Sequence, residues 1–600
     1  MRVWKSLCLT TALSAVAMLS AANAQQSPQD VTDAEFPFEK AVLASGLGNP
    51  FEIRLGPDGM LWVTERTAGR LSRVNPENGS VISAYEFALP EITSGAQTGV
   101  MGFAFHPDFG NGSDQVFVYV TYEDETRTDP TRPDEADPYH DLFNKVVRLD
   151  YDAATGRLSN PTDILTGIPA NNDHNSGRMQ VGPDGLIYLT VGDMGHNQLA
   201  NWCHPIESQT LPSAEQVEAE DWFAYQGKVL RMNLDGGIPE DNPEIDGVRS
   251  HIFSYGHRNP QGIDFGPDGT LYSNEHGPDT DDEINVIEAG GNYGWPHVAG
   301  QQDDNFYLYA NWSEASEPCE SLQWIGPSQG APEVVPQQQE TEWQAPENYK
   351  PPLATMFTVS EPIPGCEDFG YFCRPSIGPS SIDFYEGGVP ELEGMLLMTA
   401  LKHGSIYAFD PKAGAEGDFT RYYLGMNRLR DLEIADDGRT IYIATDSQGA
   451  VQNAEGEGAA GLENAGAILV YTARDGGTAA EAQPASEAQP AQQPASEAEA
   501  TEAEAKGGAA AATTSPEGGN AAQPAEAAAS GEPASDAQAA EGEAGSGAAT
   551  GNEATPGGDA AQPPHDAASH EPAADAAATD APADGAQGGG EPVAGQPAAN

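Results

Sequence analysis

The stretch QVGPDGLIYLTVGD, Gln180 to Asp193, decides the fold. Its Pro-Asp-Gly turn supplies the positive-φ geometry of a tight hairpin, and the L-Y-L alternation that follows buries one face of a strand. The same device returns as RLGPDGMLWVTE from Arg54, DFGPDGTLYSNE from Asp264 and, more loosely, IADDGRTIYIATD from Ile434. Each copy reads as a hairpin entering a sheet. Recurrent hairpins with little helical periodicity predict repeated antiparallel sheets, the blades of an all-β propeller. The turns are unevenly spaced and do not count the blades. Long insertions at 121–141, 201–225 and 307–352 separate them, and the one helical stretch is predicted over 213–232, capped by Ser213 as a decoration on a loop.

The two ends carry other information. Residues 1–24 hold Arg2 and Lys5, an apolar run from Leu7 to Leu19, then Ala22-Asn23-Ala24, the pattern of a cleavable export signal. The mature chain is therefore expected to start near Gln25, with a short extension over 25–35 before a propeller domain over 36–473. No stretch is long and apolar enough to predict a membrane span. Residues 474–600 are rich in Ala, Glu, Pro and Gly and lack aromatic residues, so this tail is expected to be disordered. The chain has a formal net charge of −65; the tail from Asp475 contributes −20, leaving −45 before it. A field of that sign repels nucleic acid and anionic membranes. It reads either as adaptation to high salt or as an ordinary acidic secreted protein.

Cys8 leaves with the signal, and the remaining Cys203, Cys319, Cys366 and Cys373 allow two disulfides in three pairings. The short loop between Cys366 and Cys373 favours that local bond. Their spacing does not resemble a zinc site.

Polar clusters recur near predicted strand ends. NNDHNSGRM, from Asn171, places His174 beside Asp173; GAQTG holds Gln97; YGHRNPQG holds Arg258, Asn259 and Gln261. NEHGPDTDDEIN places a Gly277-Pro278 turn before several carboxylates, whose hard oxygens suit Ca²⁺. In a chain with few basic residues, Lys402 and the alternating pair Arg428 and Arg430 point to an anionic ligand held by charge-assisted bonds. A base, carboxamides, a guanidinium, a cation turn and an anion pocket are more than a hydrolase needs.

WVTERTAGRLSRVNPENG, GFAFHPDF, DHNSGR, GDMGHNQLA, GKVLRMNLDG, GHRNPQG, GGNYGWP and NRLRD occur in this order. Together they resemble the soluble quinoprotein glucose dehydrogenase family over about residues 43–471. The resemblance implies a six-bladed propeller, pyrroloquinoline quinone (PQQ), Ca²⁺ and a homodimer. It implies oxidation of the C1 hydroxyl of an aldose to the lactone, with electrons passed to an external acceptor. His174 matches the general base, Asp173 its tuning partner, Gln97 a sugar contact and Arg258 the stabiliser of charge on the quinone. Asn259, Gln261, Lys402, Arg428 and Arg430 match cofactor contacts. Gly277 and Pro278 match carbonyl ligands of the catalytic Ca²⁺; Asp282, Glu283 and Tyr293, and further along Ala299 and Asp303, match structural Ca²⁺ positions. Two positions depart: Arg374 stands where relatives carry a tryptophan, and His403 replaces another basic residue.

The expectation is an exported, periplasmic or secreted, PQQ-dependent aldose 1-dehydrogenase. Its rivals are a broad aldose or sorbosone-type dehydrogenase, a metal-dependent propeller lactonase and a non-catalytic binding propeller.

Overall fold

Each of the three Pro-Asp-Gly turns, and the looser Asp-Asp-Gly turn at Asp436, joins the first strand of a sheet to its second, as the alternation predicts. Pro50–Leu55 pairs with Leu61–Glu65, Met179–Val181 with Ile187–Val191, Pro260–Phe265 with Leu271–Glu275, and Leu429–Ile434 with Thr440–Thr445, all antiparallel. The computed structural model describes residues 31–474 except 92–96, 134–136, 327–329, 360–371, 373, 455 and 460. Its strands form six four-stranded antiparallel sheets, one extended by a short fifth strand. Two blades lack the signature turn. Val100–Phe105 and Gln115–Glu123 are joined through HPDFGNGSD, and Pro379–Phe384 and Leu396–Ala400 through YEGGVPELEGM.

In chain order the blades begin at Pro50, Val100, Met179, Pro260, Pro379 and Leu429. These six first strands touch neighbour to neighbour and the sixth touches the first, so they line a closed central channel. The ring is locked from the N-terminal side: Phe38–Ala44 pairs antiparallel with Ile468–Ala473 as the outer strand of blade 6. Apolar clusters fill the seams between blades. Ile53, Leu61 and Val74 of blade 1 meet Tyr442 and Ala444 of blade 6, and Met101 and Phe117 of blade 2 meet Leu189 and Leu230 of blade 3. Each such side chain contributes roughly 1.5–3 kcal/mol on full burial.

Charge also crosses the channel. From blade 3, Arg178 donates to the carbonyls of Phe51 (3.0 Å), Gln261 (3.1 Å) and Ser380 (3.1 Å) and pairs with Asp431 (3.0 Å). One guanidinium thus bonds to blades 1, 4, 5 and 6.

The predicted helix is mostly something else. Ser213 caps it and shares a capping box with Gln216, but the helix covers only Ala214–Glu218. A 3-10 turn takes Phe223–Tyr225, and Lys228–Met232 is the third strand of blade 3. The buried run KVLRM belongs to the sheet because its alternate residues pack against blade neighbours, and tertiary burial overrides the local helical pattern. Cys203 and Cys319 form a disulfide. The Cys366–Cys373 pair, the export signal and the tail from Asp475 lie outside the described residues. No helix among the described residues is long and apolar enough to cross a membrane.

Candidate active site

First strands begin, and second strands end, at the face opposite the Pro-Asp-Gly turns. The predicted residues gather there. His174 lies on the connection into blade 3, Arg258 and Asn259 immediately precede blade 4, and Gly277 follows that blade's second strand. Lys402 follows the second strand of blade 5, while Arg428 and Arg430 stand at the start of blade 6.

His174 is 2 % exposed and has φ 48°, a left-handed conformation. That turn swings its ring away from its chain neighbour. Nδ1 donates to Asp193 Oδ1 (2.7 Å), whereas Asp173 Oδ1 is 4.0 Å from Nε2. The carboxylate bonded to the ring is therefore Asp193, a residue that sequence reasoning passed over, while Asp173 adds its charge beside the imidazole. Asp193 reaches this place through the Gly192-Asp193-Met194-Gly195 turn. A Cβ on Gly192 would collide with the His174 carbonyl, and one on Gly195 would crowd Asp173. Trp295 Nε1 (2.8 Å) and the Gly195 N–H (3.0 Å) hold the Asp193 carboxylate still. Burial alone would lower the His174 pKa, but Asp173 and Asp193 outweigh it and hold it above the usual imidazole value. Burial would likewise raise Asp193, yet His174 and Arg258 hold it below the carboxylate range.

Asp173 organises the carboxamides. Gln97 Nε2 donates to its Oδ1 and Gln198 Nε2 to its Oδ2 (3.3 Å). Gln198, also missed in the sequence, lies 3.3 Å from His174 Nε2 through its Nε2 and accepts from Arg258 Nη2 through Oε1 (2.6 Å). It stands between base and guanidinium. Arg258 Nη1 also donates to the carbonyls of His276 (3.1 Å) and Gly277 (3.0 Å), and its plane lies over Trp295. Asn259 is buried; its Oδ1 accepts from Ser176 (3.0 Å) and Gln261 (2.8 Å), and its Nδ2 has no partner among the described residues.

The three cations divide. Arg428 and Arg430 both bind Asp446, at 2.9 Å and 2.8 Å, and Arg66 adds a third positive field there. Three guanidinium groups around one carboxylate leave an excess of positive charge. Lys402 donates to the carbonyls of Arg374 and Ser376, and burial brings its pKa down to about 8 against the pull of Asp282 and Asp279. Arg374 lies 3.7 Å from Asp279, and His403 Nε2 shares a hydrogen bond with the Tyr407 hydroxyl (3.1 Å).

The predicted cation ligands fall into two groups. Pro278 lines a cavity together with Gln198, Arg258, Trp295 and Asp279. Beside it, the Gly277 N–H donates to Asp282 (2.9 Å), which also accepts from the N–H groups of Ile377 (2.6 Å) and Gly378 (3.1 Å), tying blade 4 to the entry of blade 5. The second group surrounds Ala299. Gly300 donates to Glu283 (2.7 Å), and Ala299 and Asp304 donate to Glu340 (2.9 Å each). Burial pushes Asp281 up to about 8 and Glu340 up to about 9, and the charge of nearby Asp303 adds to both. Tyr293 stands apart: its hydroxyl donates to the Val286 carbonyl (2.5 Å) and its ring stacks on His257. Among the described residues no three Asp, Glu, His or Cys side chains alone are arranged to hold a metal.

Comparison with known proteins places this geometry. A sequence model of the family "Glucose / Sorbosone dehydrogenase" matches residues 47–328 and 343–453. Quinoprotein glucose dehydrogenase B of Acinetobacter calcoaceticus is 40% identical over 480 residues, covering 78% of this chain and 98% of that protein. Aldose sugar dehydrogenase YliI of Escherichia coli is 28% identical over 263 residues, 42% of this chain and 61% of that protein. A crystal structure of a glucose dehydrogenase shares the fold with a TM-score of 0.50 at 21% identity, covering 73% of this chain and all of that one. With the family model spanning well over half the sequence and a relative aligned along nearly its whole length, the chain belongs to the glucose/sorbosone dehydrogenase family.

Proposed function

We propose that this protein is an exported quinoprotein dehydrogenase that oxidises the C1 hydroxyl of an aldose to the lactone and passes the electrons to an external acceptor. One observation carries the reading. The Asp193 carboxylate can only accept, so the His174 Nδ1 keeps its proton and Nε2 presents a lone pair toward Gln198, which itself lines the cavity. A buried imidazole in that tautomer, raised in basicity by two carboxylates, is built to take a proton.

The residues present fit PQQ. The excess positive charge of Arg66, Arg428 and Arg430 around Asp446 suits its carboxylates, and the unpartnered Nδ2 of buried Asn259 offers a donor beside Gln261. Lys402 completes the proposed cofactor contacts. PQQ, when bound, supplies a two-electron acceptor for the hydride that leaves C1. Gln97, Asp173 and Gln198 orient the sugar hydroxyls, and His174 Nε2 removes the C1 hydroxyl proton. Arg258 places positive charge where negative charge develops.

Ca²⁺ belongs to the proposal as well. The carbonyls of Gly277 and Pro278 would hold one ion, and the carboxylates of Glu283 and Asp303 near Ala299 would offer hard oxygens to another only together with backbone carbonyls, since no three carboxylates among the described residues converge. Asp282 and Tyr293 have their polar atoms engaged within the protein and support these positions from behind. A homodimer completes the reading, and sedimentation of the loaded protein would test it.

The deciding experiment reconstitutes purified apoprotein with PQQ and Ca²⁺ and follows dye reduction over a panel of aldoses. Quinone- and Ca²⁺-dependent turnover with at least one aldose is expected. No turnover with any sugar, and no quinone-dependent spectral change, would sink the reading.

A further inference from the structure

The proposed base rests on a loop that its own residues do not favour. His174 (φ 48°) and Ser176 (φ 53°) are both left-handed, a conformation that residues other than glycine keep only where surrounding bonds hold them in it. Between them stands Asn175, fully buried. Its carboxamide closes the loop on itself. Oδ1 accepts from the Asn171 N–H (3.1 Å) and Nδ2 donates to the Asn171 carbonyl (2.6 Å), so one side chain takes both backbone groups of the residue four places earlier. The arc that this clasp spans carries Asp173 and His174.

The clasp is anchored on three sides. From the third strand of blade 2, Asn144 Nδ2 donates to Asn175 Oδ1 (3.2 Å), and Asn144 Oδ1 accepts from Thr121 on the second strand (2.7 Å). Toward the proposed sugar contact, Asn175 Nδ2 lies 3.4 Å from the Gln97 carbonyl, and the Gln97 N–H donates to the Asn172 carbonyl (2.9 Å). Toward the carboxylate bonded to the ring, Asn171 Nδ2 donates to the carbonyl of Met194, next to Asp193 (2.6 Å). Thr121, Asn144, Asn171 and Asn175 are all fully buried. The clasp needs an amide. A carboxylate at position 175 could accept from the Asn171 N–H, but it could not donate to the Asn171 carbonyl and would set a charge against that oxygen.

We propose that Asn175 is a positioning residue for the base: its clasp on Asn171 fixes the left-handed turn that brings His174 Nδ1 to Asp193 and keeps Gln97 beside Asp173. The kinetic consequence rests on the aldose dehydrogenase reading above, and the structural one on the loop alone. The charged groups that act on the His174 ring are Asp173, Asp193 and Arg258. Released from the clasp, the ring loses its bond to Asp193.

The test uses the full chain with Asn175→Ala and the near-isosteric Asn175→Asp. In the PQQ- and Ca²⁺-loaded enzyme, kcat for glucose is expected to fall about 10²-fold in each variant, while the PQQ titration stays within about twofold of wild type. The acid limb of kcat/KM should move to lower pH in Asn175→Ala, because a carboxylate that favours the imidazolium has been lost. A second readout needs no cofactor. Carbethoxylation of His174 in the apoprotein, mapped by mass spectrometry, follows the neutral imidazole, and its pH midpoint should fall in Asn175→Ala. Asn144→Ala removes only the outer anchor and keeps the test open where Asn175→Ala does not fold; it should show the same changes, with kcat lowered about tenfold. Folded variants, checked by thermal melting, that keep the wild-type kcat and the wild-type His174 midpoint would overturn the proposal, leaving Asn175 as a stabilising residue only. A wild-type enzyme inactive on every aldose would instead overturn the dehydrogenase reading; a lowered carbethoxylation midpoint in Asn175→Ala would still sustain the positioning role, and an unchanged midpoint would remove it.

Discussion

His174 can accept a proton only while Nε2 is unprotonated, so its environment predicts a pH profile. Its pKa is held above the ordinary imidazole value by Asp173 and Asp193, so kcat/KM falls as pH drops through that raised pKa and the imidazolium accumulates. Asp193→Asn removes one of the charges that raise it. The acid limb should then move to lower pH, and kcat should fall by about tenfold or more because the ring loses its orienting acceptor. An acid limb that stays in place would mean that another group titrates. His174→Gln should lose about 10²- to 10⁴-fold in kcat, while a PQQ titration of the same variant stays close to wild type. Much of this chemistry was legible in the sequence, since DHNSGR, GHRNPQG and NRLRD lead to residues that the fold brings to one face. Asp193 was not. Chain adjacency favoured Asp173, and only the left-handed turn at His174 reverses the choice. The available signal was a Gly-Asp-x-Gly turn directly after a strand, whose glycines permit the close approach.

At the scale of strands and turns, three Pro-Asp-Gly hairpins and one looser Asp-Asp-Gly hairpin located four blades. The other two were hidden because their first and second strands are joined by longer connections without that turn. The predicted helix failed for a related reason: KVLRM pairs with Ile187–Val191 on one side and Ile252–Tyr255 on the other, and those partners are remote in the chain. Arg178 gives this scale its sharpest test. Its guanidinium joins blades 1, 4, 5 and 6 beneath the candidate site, so Arg178→Met would strand Asp431 and three carbonyls in the channel. A loss of about 3–5 kcal/mol in urea unfolding is expected. A change below about 1 kcal/mol would show that the hub adds little beyond apolar packing.

Over the whole molecule, the charge of −45 ahead of the tail sets a condition on stability. Self-repulsion on such a surface weakens as the screening length shrinks from about 10 Å at 0.1 M salt to about 3 Å at 1 M. The melting temperature should rise over that range; a flat or falling curve would remove the case for adaptation to high salt. Propeller class and family were readable from ordered motifs along the chain. The bond between Cys203 and Cys319 was not, because the segments it joins meet only in the folded chain. The central claim is that an aldose gives up its C1 hydrogen to a bound quinone. Stopped-flow mixing of the PQQ- and Ca²⁺-loaded enzyme with glucose and with C1-deuterated glucose, without an external acceptor, tests it most directly. The account predicts a single-turnover loss of the oxidised quinone absorbance that is several-fold slower with the deuterated sugar and nearly abolished in His174→Gln; an unchanged spectrum, or reduction that His174→Gln performs at the wild-type rate, would contradict it.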